Sequence, residues 1–85
     1  MRINDKYKII KRESETLLTD IEEGDVYKIN DVTLAIFEMC EYIDDMNELI
    51  ESIYTKFETS TDNYSKCDLE RFVLDLMENK FITND

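Results

Sequence analysis

GDVYKIND, Gly24 to Asp31, contains the only glycine in the chain, a short alternating run, and two adjacent residues suited to starting a helix. Val26 and Lys28 alternate with Tyr27 and Ile29, the two-residue period of a strand. Asn30 or Asp31 can then accept bonds from first-turn amides that lack partners inside a helix. Gly24 can supply the positive φ of a tight turn that other residues resist. The stretch therefore reads as turn, strand, helix start, and everything before it differs in period from everything after it.

Upstream, Tyr7, Ile9 and Lys11 alternate with Lys8, Ile10 and Arg12, and Leu17, Thr19 and Ile21 alternate with Leu18 and Asp20. Glu13-Ser14 turns the first corner and Glu22-Glu23-Gly24-Asp25 the second, so three strands follow one another as an antiparallel meander. A lone meander is marginal in water, so one face must rest on helices. Tyr27, Ile29, Leu17 and Ile21 are expected on that face, with Val26 and Lys28 pointing outward.

Downstream the period becomes helical. Asp31 to Glu41, DVTLAIFEMCE, is apolar almost all round, as expected of a central helix covered on most sides. Met46, Leu49, Ile50, Ile53, Tyr54 and Phe57 share one face of a second helix, opened by Asp45 with Glu48 three residues on. Leu69, Phe72, Val73, Leu76 and Met77 share a face of a third, running from about Lys66 to Asn79 and opened by Ser65 with Asp68. The predicted architecture is α+β and winged-helix-like: a three-stranded antiparallel meander followed by three helices, one domain over residues 1–85.

Ten Lys and Arg stand against 21 Asp and Glu, a formal net charge of -11, which opposes nucleic acid and acidic membranes as partners. The segment DDMNELIESIYTKFE, where acids outnumber a lone lysine, could not lie among phosphates. The charge is uneven: Arg2, Lys6, Lys8, Lys11 and Arg12 face only Asp5 in the first twelve residues, which predicts contact between a basic first strand and the acidic helices. The chain opens without a charged-then-apolar signal pattern and has no apolar run near the length of a span, so a cytoplasmic protein is expected. Without histidine, a Gly-rich phosphate loop or a Cys-x-x-Cys, no common nucleophile pair or metal set can be assembled. Cys40 falls in the apolar helix as a core residue, and Cys67 lies near a helix start. Asp44, Asp45 and Glu41 lack calcium-loop spacing and are explained by capping. No enzyme, no cofactor and no metal are expected.

What remains is binding. In a meander the third strand presents an unpaired row of N–H and C=O groups, and between Asp25 and Asp31 only Lys28 is charged. The row can receive a peptide as a fourth strand, or a second copy of the chain as a homodimer.

The order VYKIND, a buried helix with Ala35, Ile36 and Phe37, a second amphipathic helix, and then CDLERFVLDLMENKFI resembles the PqqD-like domains over about Tyr7 to Ile82. Tyr42-Ile43-Asp44-Asp45 stands where those domains often have a glycine. The resemblance implies recognition of the leader of a ribosomally made precursor peptide, paired with the third strand and lying against the third helix. It implies delivery to a modifying enzyme, a radical-SAM maturase before others. By position, Val26, Tyr27, Lys28 and Ile29 would supply the backbone ladder, and Leu69, Phe72, Val73 and Leu76 the apolar wall, with Val73 at the rim. Arg71 and Lys28 would meet acidic leader side chains. A contrasting reading rests on charge alone: a small acidic protein that mimics nucleic acid and occupies a basic partner.

Overall fold

The computed structural model describes residues 1–59 and 64–84. Its elements are β1 (Arg2–Ile3), β2 (Tyr7–Lys11), β3 (Thr16–Asp20), β4 (Val26–Ile29), α1 (Asp31–Met39), α2 (Met46–Phe57), α3 (Lys66–Glu78) and β5 (Ile82–Thr83). The three expected strands are β2, β3 and β4, an antiparallel sheet in that order, and three helices follow, so the fold is the α+β meander-then-helices arrangement. Unforeseen is a second sheet, a two-stranded ribbon in which β1 pairs antiparallel with β5.

The helix starts follow from the caps read in the sequence. Asn30 Oδ1 accepts from the Thr33 N–H at 2.9 Å and from the Thr33 hydroxyl at 2.8 Å. Asp45 accepts from the Glu48 N–H at 2.9 Å, and Ser65 from that of Asp68 at 3.1 Å. At the corner after α1, the Tyr42 and Ile43 amides both donate to Met39 O, and Tyr42 projects into solvent. No described helix is long and apolar enough to cross a membrane.

The turn into β4 has the expected glycine and a participant its sequence reading did not include, Asp20. Gly24 has φ +80°, as expected, and its N–H donates to Asp20 O at 2.7 Å. Asp20 is 2% exposed and organises the corner: its Oδ1 accepts from the amides of Glu22 and Glu23 at 2.9 and 3.0 Å, and Lys6 Nζ lies 3.5 Å from Oδ2. The Glu23 N–H, then that of Glu22 and the Lys6 charge, hold this carboxyl below its ordinary pKa against the cost of desolvation.

Asp20 also corrects the expected facing of β3. Tyr7↔Asp20 and Ile9↔Leu18 pair across to β2, and Leu18↔Tyr27 and Thr16↔Ile29 across to β4, so Thr16, Leu18 and Asp20 face the helices. Leu17 and Ile21, expected inside, therefore face outward, and Ile21 is exposed. A carboxylate satisfied by turn amides takes an inner position that polarity alone would deny it.

The core gathers Leu18, Ile36, Phe37, Cys40, Leu49, Ile53, Val73 and Ile82, each under 2% exposed. Side chains of α1 supply its centre, and Lys66 ties α3 to α2 through Glu51 at 2.6 Å. Of the basic N-terminal residues, Lys11 reaches α1 at Glu38, 2.9 Å away.

Candidate functional site

The chain leaves α3 through a left-handed residue that is not glycine. Lys80 has φ 66°, its N–H donates to Met77 O at 3.1 Å, and the Phe81 N–H donates to Leu76 O at 2.9 Å. This crossed pair of bonds is a Schellman ending, which brings the residue after the turn back against the last helical turn. Asn4 fixes the exit from the other side: its N–H donates to Phe81 O at 2.9 Å and its amide to Lys80 O at 2.8 Å. The Phe81 ring is thereby set 4.8 Å from Tyr7 and, edge-on, 5.6 Å from Tyr27.

Beside that ring lies an open hollow of about 190 Å³ between β4 and α3, with Leu18, Tyr27, Ile29, Phe72, Leu76 and Phe81 among its walls. A second hollow, about 400 Å³, continues toward the start of α3, bounded by Asn30, Val32, Tyr64, Asp68, Leu69 and Phe72. Phe72 belongs to both and divides one apolar trough into two compartments.

The backbone of β4 beside this trough can be assigned atom by atom. The Asp20 N–H donates to Asp25 O at 2.8 Å, so Asp20 and Asp25 form a bonded pair. Antiparallel pairs alternate between bonded and non-bonded, which makes Leu18–Tyr27 and Thr16–Ile29 bonded as well. The β2 side agrees, since Ile21 donates to Lys6 O and Arg12 to Glu15 O, leaving the even-numbered residues of β3 for β4. Tyr27 and Ile29 thus spend their amides on β3. The N–H and C=O groups of Val26 and Lys28 point away from the sheet, and no described residue bonds to them.

The nine residues singled out from the sequence separate accordingly. Val26 and Lys28 hold the outward backbone groups; Tyr27 and Ile29 turn their side chains toward the trough. Phe72 is partly exposed and lines both compartments, while Leu69 and Leu76 are buried but form wall. Val73, expected at the rim, is fully buried and supports the wall from beneath. Arg71 is exposed and lines neither compartment. Phe81, Val32 and Tyr64 were missed, although Phe81 lies in the run CDLERFVLDLMENKFI that carries the resemblance. Partial desolvation, then the Asp25 carboxylate, push the Tyr27 phenol above its ordinary pKa.

Other groups are occupied structurally. Asp20, Glu23 and Asp25 bring carboxylate oxygens within 4.8 Å of one another, but Asp20 already serves the turn amides and Lys6. Asp45 caps α2, and Asp44 accepts from the Met1 amino group at 3.0 Å. Two outward N–H and C=O pairs beside an apolar trough are the equipment for adding a strand.

No known family profile matches the chain. Early protein GP17 of Bacillus phage B103 is 38% identical over 71 residues, 84% of this chain and 50% of that protein. The chain thus spans about half the length of the curated relative it matches. Among solved structures, TbiB1 in complex with the TbiA(beta) leader peptide superposes with a TM-score of 0.69 at 17% identity, covering 100% of this chain and 98% of that one. At that identity the likeness establishes a common fold.

Proposed function

We propose that this chain is a non-catalytic peptide-recognition domain of the PqqD-like kind, capturing an extended segment as a fourth strand on β4. The observation that carries the reading is the outward pair of backbone groups on Val26 and Lys28, beside the Phe72-divided trough. Guest residues opposite Tyr27 and Ile29 would turn into the two compartments, and the guest backbone would bond Val26 and Lys28. The shared fold with TbiB1, itself solved with a leader peptide, favours the leader of a ribosomally made precursor as the guest. Delivery to a modifying enzyme, a radical-SAM maturase before others, completes the role.

The test is a titration of isotope-labelled protein with the leader of a precursor encoded beside its gene. Amide shifts concentrated on Val26, Lys28, Phe72 and Phe81 support the reading; shifts elsewhere, or none, refute it. Sedimentation without peptide reports whether β4 instead pairs with a second copy. The net charge of -11 favours a second reading, an acidic protein that occupies a basic partner. Binding of that kind falls steeply with salt, whereas strand addition over an apolar trough varies weakly.

A further inference from the structure

The face of the sheet turned away from the helices carries a different chemistry. Cross-strand pairing aligns Lys8 with Thr19 and Val26, and Ile10 with Leu17 and Lys28. Ile10 and Val26 are 39% and 58% exposed, so they form with Leu17 an apolar diagonal crossing all three strands. Lys8 flanks it on one side and Lys28 on the other, with Arg12 beyond Ile10 at the strand end. Among the described residues of the three strands and their turns, Glu15 is the acid in register with this face, opposite Arg12 and 3.8 Å from Lys28 Nζ. Lys8 and Arg12 have no ion pair among the described residues. In a chain of net charge -11, this surface is a cationic island.

Lysines on edge strands discourage stray pairing, which accounts for Lys8 and Lys28. It does not account for an exposed apolar row between them. An apolar row on a sheet, bordered by cations, complements a helix with an apolar stripe and acidic flanks, the helix-on-sheet packing that already covers the inner face. We propose that the outer sheet face docks an acidic amphipathic helix of another protein, seated on Ile10, Leu17 and Val26 with carboxylates reaching Lys8, Arg12 and Lys28. The negative charge of the rest of the chain disfavours an anionic membrane as occupant. This surface is distinct from the trough: the amides of Val26 and Lys28 point along the sheet edge, whereas their side chains stand on this face, so both sites can be filled together.

The experiment titrates the isotope-labelled chain with two synthetic helical peptides sharing a leucine stripe, one with glutamate flanks and one with lysine flanks, and with phosphatidylglycerol vesicles. The glutamate peptide should shift the amides of Lys8, Ile10 and Leu17, and raised salt should weaken it. The lysine peptide, and the glutamate peptide on a Lys8→Glu variant with unchanged circular dichroism, should each bind about tenfold more weakly. Silent β2 and β3 amides, equal binding of both peptides, shifts confined to β4 and α3, or preference for vesicles would each overturn the proposal. Because Lys8 and Ile10 lie on the strand farthest from the trough, its failure would leave the strand-addition reading standing.

Discussion

Tyr27 and Lys28 are neighbours whose amides point in opposite directions, and proline, which lacks an N–H, distinguishes them. Each proline variant is compared with alanine at the same site, so loss of the side chain largely cancels. At Tyr27 the proline removes the bond to Leu18 O and strands the carbonyl of a residue that is itself 1% exposed. The difference between Tyr27→Pro and Tyr27→Ala should be about 1–3 kcal/mol of stability. For a domain of this size each kcal/mol corresponds to roughly 4–8 °C in Tm. At Lys28 no bond inside the chain is lost, and an edge strand tolerates proline where its N–H faces solvent. The stiffer unfolded chain returns about 0.4–1 kcal/mol against some cost in φ, so Lys28→Pro and Lys28→Ala should agree within about 1 kcal/mol. Urea unfolding followed by circular dichroism measures all four. If proline costs as much at Lys28 as at Tyr27, the alternation deduced from Asp20 and Asp25 is wrong and the edge has no donor to offer there. If the alternation holds, Lys28→Pro should weaken a bound peptide more than Lys28→Ala does.

Lys80→Gly should raise stability by about 1 kcal/mol, since glycine adopts the left-handed conformation without the crowding of a Cβ, and thermal unfolding reads the gain. Val73→Ala should cost roughly 2 kcal/mol in a denaturant titration, whereas Phe72→Ala should cost less than about 1 kcal/mol yet weaken peptide binding more. The Asp20 carboxyl has a folded pKa below its unfolded one, so its contribution is complete above the ordinary aspartate value and lost as pH falls toward the folded value. Acid unfolding of Asp20→Asn should accordingly depend less on pH below about pH 4 than that of the unaltered chain. Burial pushes the Cys40 thiol up to about 11, so a thiol reagent at neutral pH should label exposed Cys67 at once and Cys40 only on unfolding.

The parts of the fold that rest on local signals were legible. The change of period at Asn30, and the pairs Asp45 with Glu48 and Ser65 with Asp68, mark helix starts because a cap acts within one turn of its own residue. Adjacent Leu17 and Leu18 were not resolvable in the same way: either fits a two-residue period, and the residue that fixes the register is Asp20, which polarity assigns to the wrong face. The β1–β5 ribbon could not be read either, since two-residue strands carry no periodicity and their pairing joins opposite ends of the chain. On α3, spacing identified the apolar stripe but not the part of it that meets the sheet, so Val73, expected at the rim, lies buried beneath the wall. The floor of the trough depends on a positive φ at a lysine, a conformation composition gives no reason to expect.

Phe81 touches both sheets at once: its carbonyl is held by Asn4 beside the terminal ribbon, and its ring meets Tyr27 on the edge strand. Under the proposed strand addition, ribbon closure and trough occupancy should therefore be linked equilibria, and linkage is reciprocal. Whatever free energy a ligand gains from a closed ribbon, the ribbon gains equally from the ligand, so loading β4 should slow hydrogen exchange in the β1–β5 ribbon.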